Sequence, residues 1–442
     1  MTMQEGAAQA RSIADAVARR SYGKLVAFLC ARTHDVALAE DALSEAFAAA
    51  LTDWPVNGCP ANPEAWLLLV ARRKLVDFGR RQRNGELAAA DLRVLVEGLE
   101  AASVGADSAI PDQRLALMFA CAHPAIAPPI RSPLILQVVL GLDAATIASA
   151  FLISPATMGK RLVRAKDKIR QAGVPFRIPE REELRERLEH VLDAIYAAFA
   201  EGWVDPSGSD VARRDLAEEA LFLGRLVVSL LPGEPEARGL LALMLYAEAR
   251  RDARRSAAGD FVPLAEQDVA RWNAAMIAEA EALLQSASAL GSIGRYQLEA
   301  AVQSVHVERR RSGRSNWQAV LQLYDALLDM SESPVVAINR TLAIAEVHGA
   351  DAALASLQVI AADARVLEYQ PYWAARAELL SRTGARDEAR HAYEIAAGLE
   401  RDPAVRRFLQ MRQADLSAAP RDSQESAGRH AGSDPALEQV TR

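Results

Sequence analysis

The segment Ser154-Pro155-Ala156-Thr157-Met158-Gly159-Lys160-Arg161-Leu162-Val163-Arg164 carries the strongest local signal in the chain. Ser154 followed by Pro155 suits the start of a helix, because a hydroxyl can cap the free N–H groups and proline sits where no donor is needed. In that helix Met158, Leu162, Ala165 and Ile169 share a face and predict an inward stripe. Thr157, Lys160 and Arg164 then point outward, with Arg161 and Lys168 on the flank. The chemistry on offer is recognition of a polyanion, since Arg and Lys can read guanine edges or hold phosphates, and the residues alone leave that choice open. Just upstream, Asp143 can cap a short helix, and Ala148 is small enough for a second helix to cross closely. Short helix, tight turn and basic-faced helix make the helix-turn-helix arrangement, whose second helix enters a major groove. An ordinary helical hairpin with a solvated basic face would carry the same charges.

A second basic helix is predicted over Trp66–Arg81. Leu67, Leu68, Ala71, Leu75 and Phe78 form its buried face; Arg73 and Arg80, seven apart, project together on the other side. Arg72, Lys74, Arg81 and Arg83 add charge around them. Two such helices in a chain of negative total charge favour phosphate contact over two solvated faces. Of opposite sign is Glu40-Asp41-Ala42-Leu43-Ser44-Glu45, where Asp41 and Glu45 are four apart on one face and repel by roughly 0.2–0.5 kcal/mol. An unneutralised acidic pair is a contact for a basic protein surface, or simply two solvated carboxylates.

Other chemistry is weakly supported. Cys121 and His123 lack the further ligands of a structural zinc site. Gly291-Ser292-Ile293-Gly294 is followed by no Gly-Lys-Ser/Thr, and His306-Val307-Glu308 has no second histidine at helical spacing. His391 sits on a predicted repeat helix, where packing or exposure accounts for it. No enzyme and no cofactor are expected.

The elements that must position these residues are helical almost throughout. Alanine and leucine dominate the 442 residues, and apolar side chains recur at helical spacing. The length allows two or three cores. Residues 1–175 hold 20 basic against 17 acidic residues, whereas the remainder holds 31 against 41, so only the front is suited to a polyanion. Three cysteines cannot frame a disulfide fold. No secretory signal begins the sequence and no apolar run reaches bilayer length, so a soluble cytoplasmic protein without membrane contact is expected. The expected organisation is a first helical domain over 10–85, a linker over 86–110, a helix-turn-helix domain over 111–173 and a connecting segment over 174–205. Val174-Pro175-Phe176-Arg177-Ile178-Pro179 marks the clearest break, because neither proline can continue a helix. A helical repeat domain over 206–413 and a disordered tail over 414–442 complete the reading. In the repeat domain Ala377, Leu380, Gly384, Ala389, Tyr393 and Ala396 have the spacing of a tetratricopeptide unit, and Ala343 and Gly349 echo two of those positions. Generic helical hairpins with small crossing residues would look the same.

The order Ala39-Glu40-Asp41…Glu45…Phe47, Asn62-Pro63-Glu64-Ala65-Trp66-Leu67, Ala71-Arg72…Asp77…Arg80-Arg81 and then the helix-turn-helix resembles an extracytoplasmic-function sigma factor of the sigma-70 family. Leu117–Pro124, Phe199-Ala200-Glu201-Gly202-Trp203, Glu266-Gln267-Asp268…Arg271-Trp272 and Tyr296–Val302 look like the subgroup with a C-terminal tetratricopeptide-like extension. The resemblance spans about residues 10–413. It implies an all-α promoter-specificity subunit of bacterial RNA polymerase. Region 2 would read the minus-ten element through Arg72, Arg73, Lys74, Arg80 and Arg81, and dock Asp41 and Glu45 on the clamp helices of the β′ subunit. The loop Pro55–Asn62 would capture a flipped-out base. Region 4 would bind the minus-thirty-five element through Thr157, Lys160, Arg161, Arg164 and Lys168, and touch the β flap. The C-terminal domain would regulate, through a protein or ligand partner or by masking the basic helices.

Four positions depart from the family pattern: Ser44 where glutamine is common, Arg73 for asparagine, Ala122 in the usual Cys-Cys-His, and Thr146 for an acid. Competing readings are a helix-turn-helix regulator with a tetratricopeptide-like sensory domain that never joins polymerase, a scaffold, or a hydrolase hidden in the C-terminal part.

Overall fold

A computed structural model describes residues 3–33, 35–82, 112–172, 179–203 and 211–418. Among them the architecture is all-α, apart from one antiparallel bridge between Arg255 and Phe261. No described helix is long and apolar enough to cross a membrane. The chain divides into two compact units, residues 1–201 and 202–442. The expected linker 86–110 lies outside the described residues, as do Val174–Ile178 and the tail from residue 419.

Unit 1 opens with α1 (Met3–Thr33), α2 (Val36–Asn57) and α3 (Pro63–Gln82), each packed on the other two. Asp35 caps α2 by accepting from Leu38 N at 3.0 Å, and Asn62 caps α3 by accepting from Ala65 N at 3.1 Å. Four shorter helices follow: α4 (Gln113–Cys121), α5 (Pro128–Val138), α6 (Ala144–Ala150) and α7 (Pro155–Ala172). These do not form a separate body. α1 packs on α4, and α7 reaches α2. At the junction a Cβ on Gly23 of α1 would overlap the Val139 carbonyl, so only a hydrogen fits there.

The stretch expected as a connecting segment contains a 20-residue helix, α8 (Leu184–Trp203). Its Arg187 is almost wholly buried, donating to the Phe119 carbonyl at 3.2 Å and to Glu183 at 2.9 Å. The prolines before it mark a break in the chain but say nothing of the amphipathic run that follows.

Unit 2 is a succession of helices, each packed on its neighbours in the chain. Its first members are α9 (Val211–Leu230), α10 (Pro235–Glu248), α11 (Ala274–Ser288) and α12 (Arg295–Ser312). α10 packs on the other three and is buried nearly all round, from Leu240 to Tyr246. Gly294 precedes α12 without a capping side chain, and Glu236 of α10 fills that role, accepting from Tyr296 N at 2.9 Å and Gln297 N at 3.1 Å. Between α10 and α11 runs an irregular, arginine-rich loop. Arg309 of α12 donates to the Ala265 carbonyl at 3.0 Å and the Leu264 carbonyl at 2.8 Å, which ties that loop down. Beside Arg309, His306 is buried with its ring edge-on to Trp317 at 5.7 Å; burial, then Arg250 and Arg309, pushes its pKa down to about 3.

The remaining helices are α13 (Trp317–Met330), α14 (Pro334–His348), α15 (Ala350–Ile360), α16 (Gln370–Arg382), α17 (Arg386–Leu399) and α18 (Pro403–Ala418). α18 continues five residues past the expected end of the repeat domain. Ala377, Leu380, Ala389, Tyr393 and Ala396 are all buried in the α16–α17 hairpin, which Gly384 turns at φ +83°. Ala343 is buried on α14, and Gly349, at φ +90°, joins α14 to α15.

Glu378 of α16 ties three helices together. Its carboxylate accepts from Arg382 at 2.9 Å, from Tyr393 Oη at 3.0 Å and from Arg412 of α18 at 2.7 Å. Burial by itself would raise this carboxyl, but Arg412 and Arg382 more than offset it and hold the pKa below the usual range. A depressed folded-state value means the stabilisation is present above the ordinary carboxyl range and lost as pH falls through the folded value. Glu378→Gln is therefore expected to destabilise unit 2 by about 3 kcal/mol at neutral pH, and to flatten the acid limb of a plot of Tm against pH.

Candidate nucleic-acid interface

The pair expected as a helix-turn-helix, α6 and α7, is built from local hydrogen bonds. Asp143 caps α6, accepting from Ala145 N and Thr146 N, both at 2.8 Å. The Thr146 hydroxyl, which stands where the resembled family carries an acid, turns back to Asp143 at 3.3 Å. The turn closes with Ile153 N donating to the Ala148 carbonyl at 3.0 Å, and Leu152 takes the left-handed conformation there at φ +51°. Ser154 then starts α7: its carbonyl accepts from Met158 N at 3.0 Å and its hydroxyl from Thr157 N at 3.4 Å. Ile147 and Ala148 of α6, and Met158, Leu162 and Ala165 of α7, are buried, while Ile169 is half-buried.

That seating leaves Lys160, Arg161, Arg164 and Lys168 exposed along α7. Thr157 differs: it is half-buried, and the Ser154 hydroxyl donates to its side chain at 2.8 Å, so it serves the cap. Arg161, Arg164 and Lys168 also rim a groove of about 390 Å³. Its floor is apolar, formed by Ile126, Pro129 and Ile130 together with Ala165 and Ile169 of α7.

The second basic helix is α3. Leu67 and Ala71 are buried, Leu68 and Leu75 half-buried. Arg73 is exposed, and Arg72 and Lys74 are half-buried; the side chains of Phe78, Arg80 and Arg81 lie outside the described residues. Trp54 of α2 meets Trp66 of α3 edge-on at 5.5 Å. The loop between these helices is shorter than the expected Pro55–Asn62, because Gly58 N donates to the Trp54 carbonyl at 3.0 Å and carries α2 on to Asn57.

On α2, Asp41 and Glu45 are both exposed. Glu45 pairs with Lys74 of α3 at 2.9 Å, so a residue expected at polymerase neutralises one expected at DNA. Sequence reasoning missed Lys166: this residue of α7 binds Glu40 of α2 at 2.7 Å with both side chains largely buried. Nothing in the local pattern distinguishes Lys166 from its solvated neighbours.

Among the described residues no group of three or more His, Cys, Asp or Glu could hold a metal ion. Cys121 is buried, and His123 Nδ1 accepts from Ala125 N at 3.1 Å in the turn after α4.

With this geometry in place, comparison with known proteins gives the class. Residues 17–85, which hold α2 and α3 and most of α1, match the sigma-70 region 2 family, and the chain is a sigma-70 family member. Residues 187–288 match a family of unknown function, DUF6596. The chain belongs to the same family as a protein of Rhizobium meliloti (strain 1021), "Uncharacterized protein R00370". The two are 36% identical over 387 residues, which cover 87% of this chain and 91% of that one. No solved structure matches.

The Glu45–Lys74 pair separates a structural from a functional account of Lys74. The Lys74 side chain is 43% exposed and that of Glu45 61%, and such surface pairs contribute about 0–1 kcal/mol. Lys74→Ala is expected to leave Tm within a few degrees of wild type, so weakened promoter binding in the same variant would assign Lys74 to nucleic acid.

Proposed function

We propose that the chain is an extracytoplasmic-function sigma factor that joins core RNA polymerase, selects promoters and starts transcription in the cytoplasm, with a tetratricopeptide-like regulatory domain behind it. The observation that carries this reading is the coexistence, in one unit, of a sigma-70 region 2 match and a capped helix presenting four exposed cations. The protein acts by binding, with no chemical step and no cofactor of its own.

In this reading residues 10–85 are region 2 and 111–173 are region 4, joined by 86–110. The exposed face of α2, Asp41 with Glu45, docks on the β′ clamp helices. Glu45 exchanges its weak surface partner Lys74 for a cation of polymerase, which releases Lys74 toward the minus-ten phosphates beside Arg72 and Arg73. Arg80 and Arg81 are assigned to the same promoter element by the sequence resemblance. The exposed residues Gly58, Ala61 and Asn62 form the loop that takes the flipped base. Lys160, Arg161, Arg164 and Lys168 meet the minus-thirty-five element, with Thr157 fixing the start of their helix. The apolar groove beside α7 is the seat for the β flap. Unit 2 supplies control by binding a partner or by covering the basic helices, and its acidic balance suits the second role.

Run-off transcription with core enzyme and a promoter library tests the reading. Activity that depends on this chain supports it; promoter binding without any association with core polymerase would make the chain a separate DNA-binding regulator. In the polymerase-bound state, Arg164→Ala with Lys168→Ala is expected to weaken promoter binding. The same double variant is expected to reduce the slope of log affinity against log salt by about 1 for each phosphate no longer neutralised. Removing residues 206–442 is expected to alter transcription output, and an unchanged output and response would remove the regulatory role.

A further inference from the structure

Trp203 and Trp272 belong to two motifs that the proposed function leaves unused, and each carries an arginine of the loop between α10 and α11. Arg254 lies over the Trp203 ring at 3.8 Å and donates to the Trp203 carbonyl at 3.4 Å. Arg250, only 4% exposed, stands 5.9 Å from the Trp272 ring, and Arg309 of α12 stands 5.7 Å from the same ring. Arg251 binds Glu248 at 2.7 Å, and Arg255 binds Asp402, which also caps α18. Arg271 donates to the carbonyls of Asp252 and Arg255. Carbonyls and ring faces hold a guanidinium in place without cancelling its charge. Two groups register the resulting positive potential. Burial, then Arg255, Arg250 and Arg251 against the opposing Asp402, brings Arg254 down to about 9, and Arg250 and Arg309 act on the buried His306 in the same sense.

The same loop holds buried donors that the protein leaves unmatched. Among the described residues, Trp203 Nε1, Trp272 Nε1 and Arg251 Nη2 have no acceptor. Native structures rarely leave such groups unpaired, and a bound group is one way of satisfying them. Two acceptors, Glu248 Oε2 and Gln267 Oε1, are also buried without a donor. We infer that this loop is a binding site for a small phosphate ester bearing hydroxyl groups. Its phosphate accepts from Trp203, Trp272 and Arg251 beside Arg250 and Arg254, and its hydroxyls donate to Glu248 and Gln267. A phosphate dianion suits the site because its oxygens accept several hydrogen bonds at once and its charge offsets more than one guanidinium. The burial of Arg250 and Trp272 selects a small ligand over a duplex or a protein surface. That this ligand is the input through which unit 2 exerts control rests on the proposed function; the site itself does not.

Calorimetric titration of the full-length chain, without polymerase and at constant ionic strength, tests the site. Glycerol 3-phosphate is expected to bind and raise Tm, inorganic phosphate to bind more weakly, and succinate and glycerol to do neither. Trp272→Phe keeps the ring and removes one N–H that has no acceptor in the free chain. It is expected to leave circular dichroism and ligand-free Tm unchanged while weakening glycerol 3-phosphate binding about tenfold. Arg254→Met keeps an apolar stem against Trp203 and removes a charge that its neighbours disfavour, so it is expected to fold and to lose binding. If that variant does not fold, Trp272→Phe decides. Absence of binding by both phosphates would overturn the site, as would full affinity in folded Trp272→Phe and Arg254→Met, which would seat the anion elsewhere. Succinate binding as tightly as glycerol 3-phosphate overturns the phosphate assignment, and equal affinity for the ester and inorganic phosphate overturns the role of Glu248 and Gln267. None of these outcomes depends on whether the chain joins polymerase.

Discussion

One backbone contact governs unit 1: at Gly23 the first helix lies directly against the Val139 carbonyl, where no side chain fits. That closeness brings α1 onto α4 and α2 onto α7, and makes one body of what the sequence suggests are two. It also excludes water from Cys30, Cys121 and the Glu40–Lys166 pair, so a charge pair that would contribute little on the surface is held in a partly desolvated setting. In such a setting, removing one partner without replacing it is costly.

The local features are legible in the sequence because they rest on neighbours along the chain. Ser154-Pro155 announces the start of α7, Asp143 announces α6, and the spacing of Met158, Leu162 and Ala165 gives the buried face. The hairpin of α16 and α17 follows from small residues at helical spacing around Gly384. What escapes a reading of the sequence depends on distant partners. Lys166 sits among charged residues with the same periodicity, and only the fold shows that its partner lies on α2. Arg187 looks like part of a solvated, highly charged run, yet it is buried against the Phe119 carbonyl. Gly23 reads as a weak point in a helix; its reason is a backbone that arrives more than a hundred residues later. Glu45 and Lys74 suggest separate roles because they belong to different helices, and the fold makes them neighbours.

Unit 2 uses charge differently. Glu378 joins three helices through two arginines and a tyrosine, and Glu236 caps a helix that begins with a bare glycine. Both are buried or half-buried carboxylates that satisfy groups from other elements, so the acidic balance of this half of the chain is partly structural. The arginines of the loop between α10 and α11 are likewise engaged with carbonyls and aromatic rings: Arg254 stacks on Trp203 at 3.8 Å and Arg271 donates to the Arg255 carbonyl at 3.0 Å.

His306 carries a consequence for how this half of the molecule meets acid. Its imidazole is buried, lies edge-on to Trp317 at 5.7 Å and feels the charges of Arg250 and Arg309, which with burial hold its pKa down to about 3. Mild acid therefore leaves this imidazole uncharged, and its packing against Trp317 keeps one charge state across the neutral and weakly acidic range.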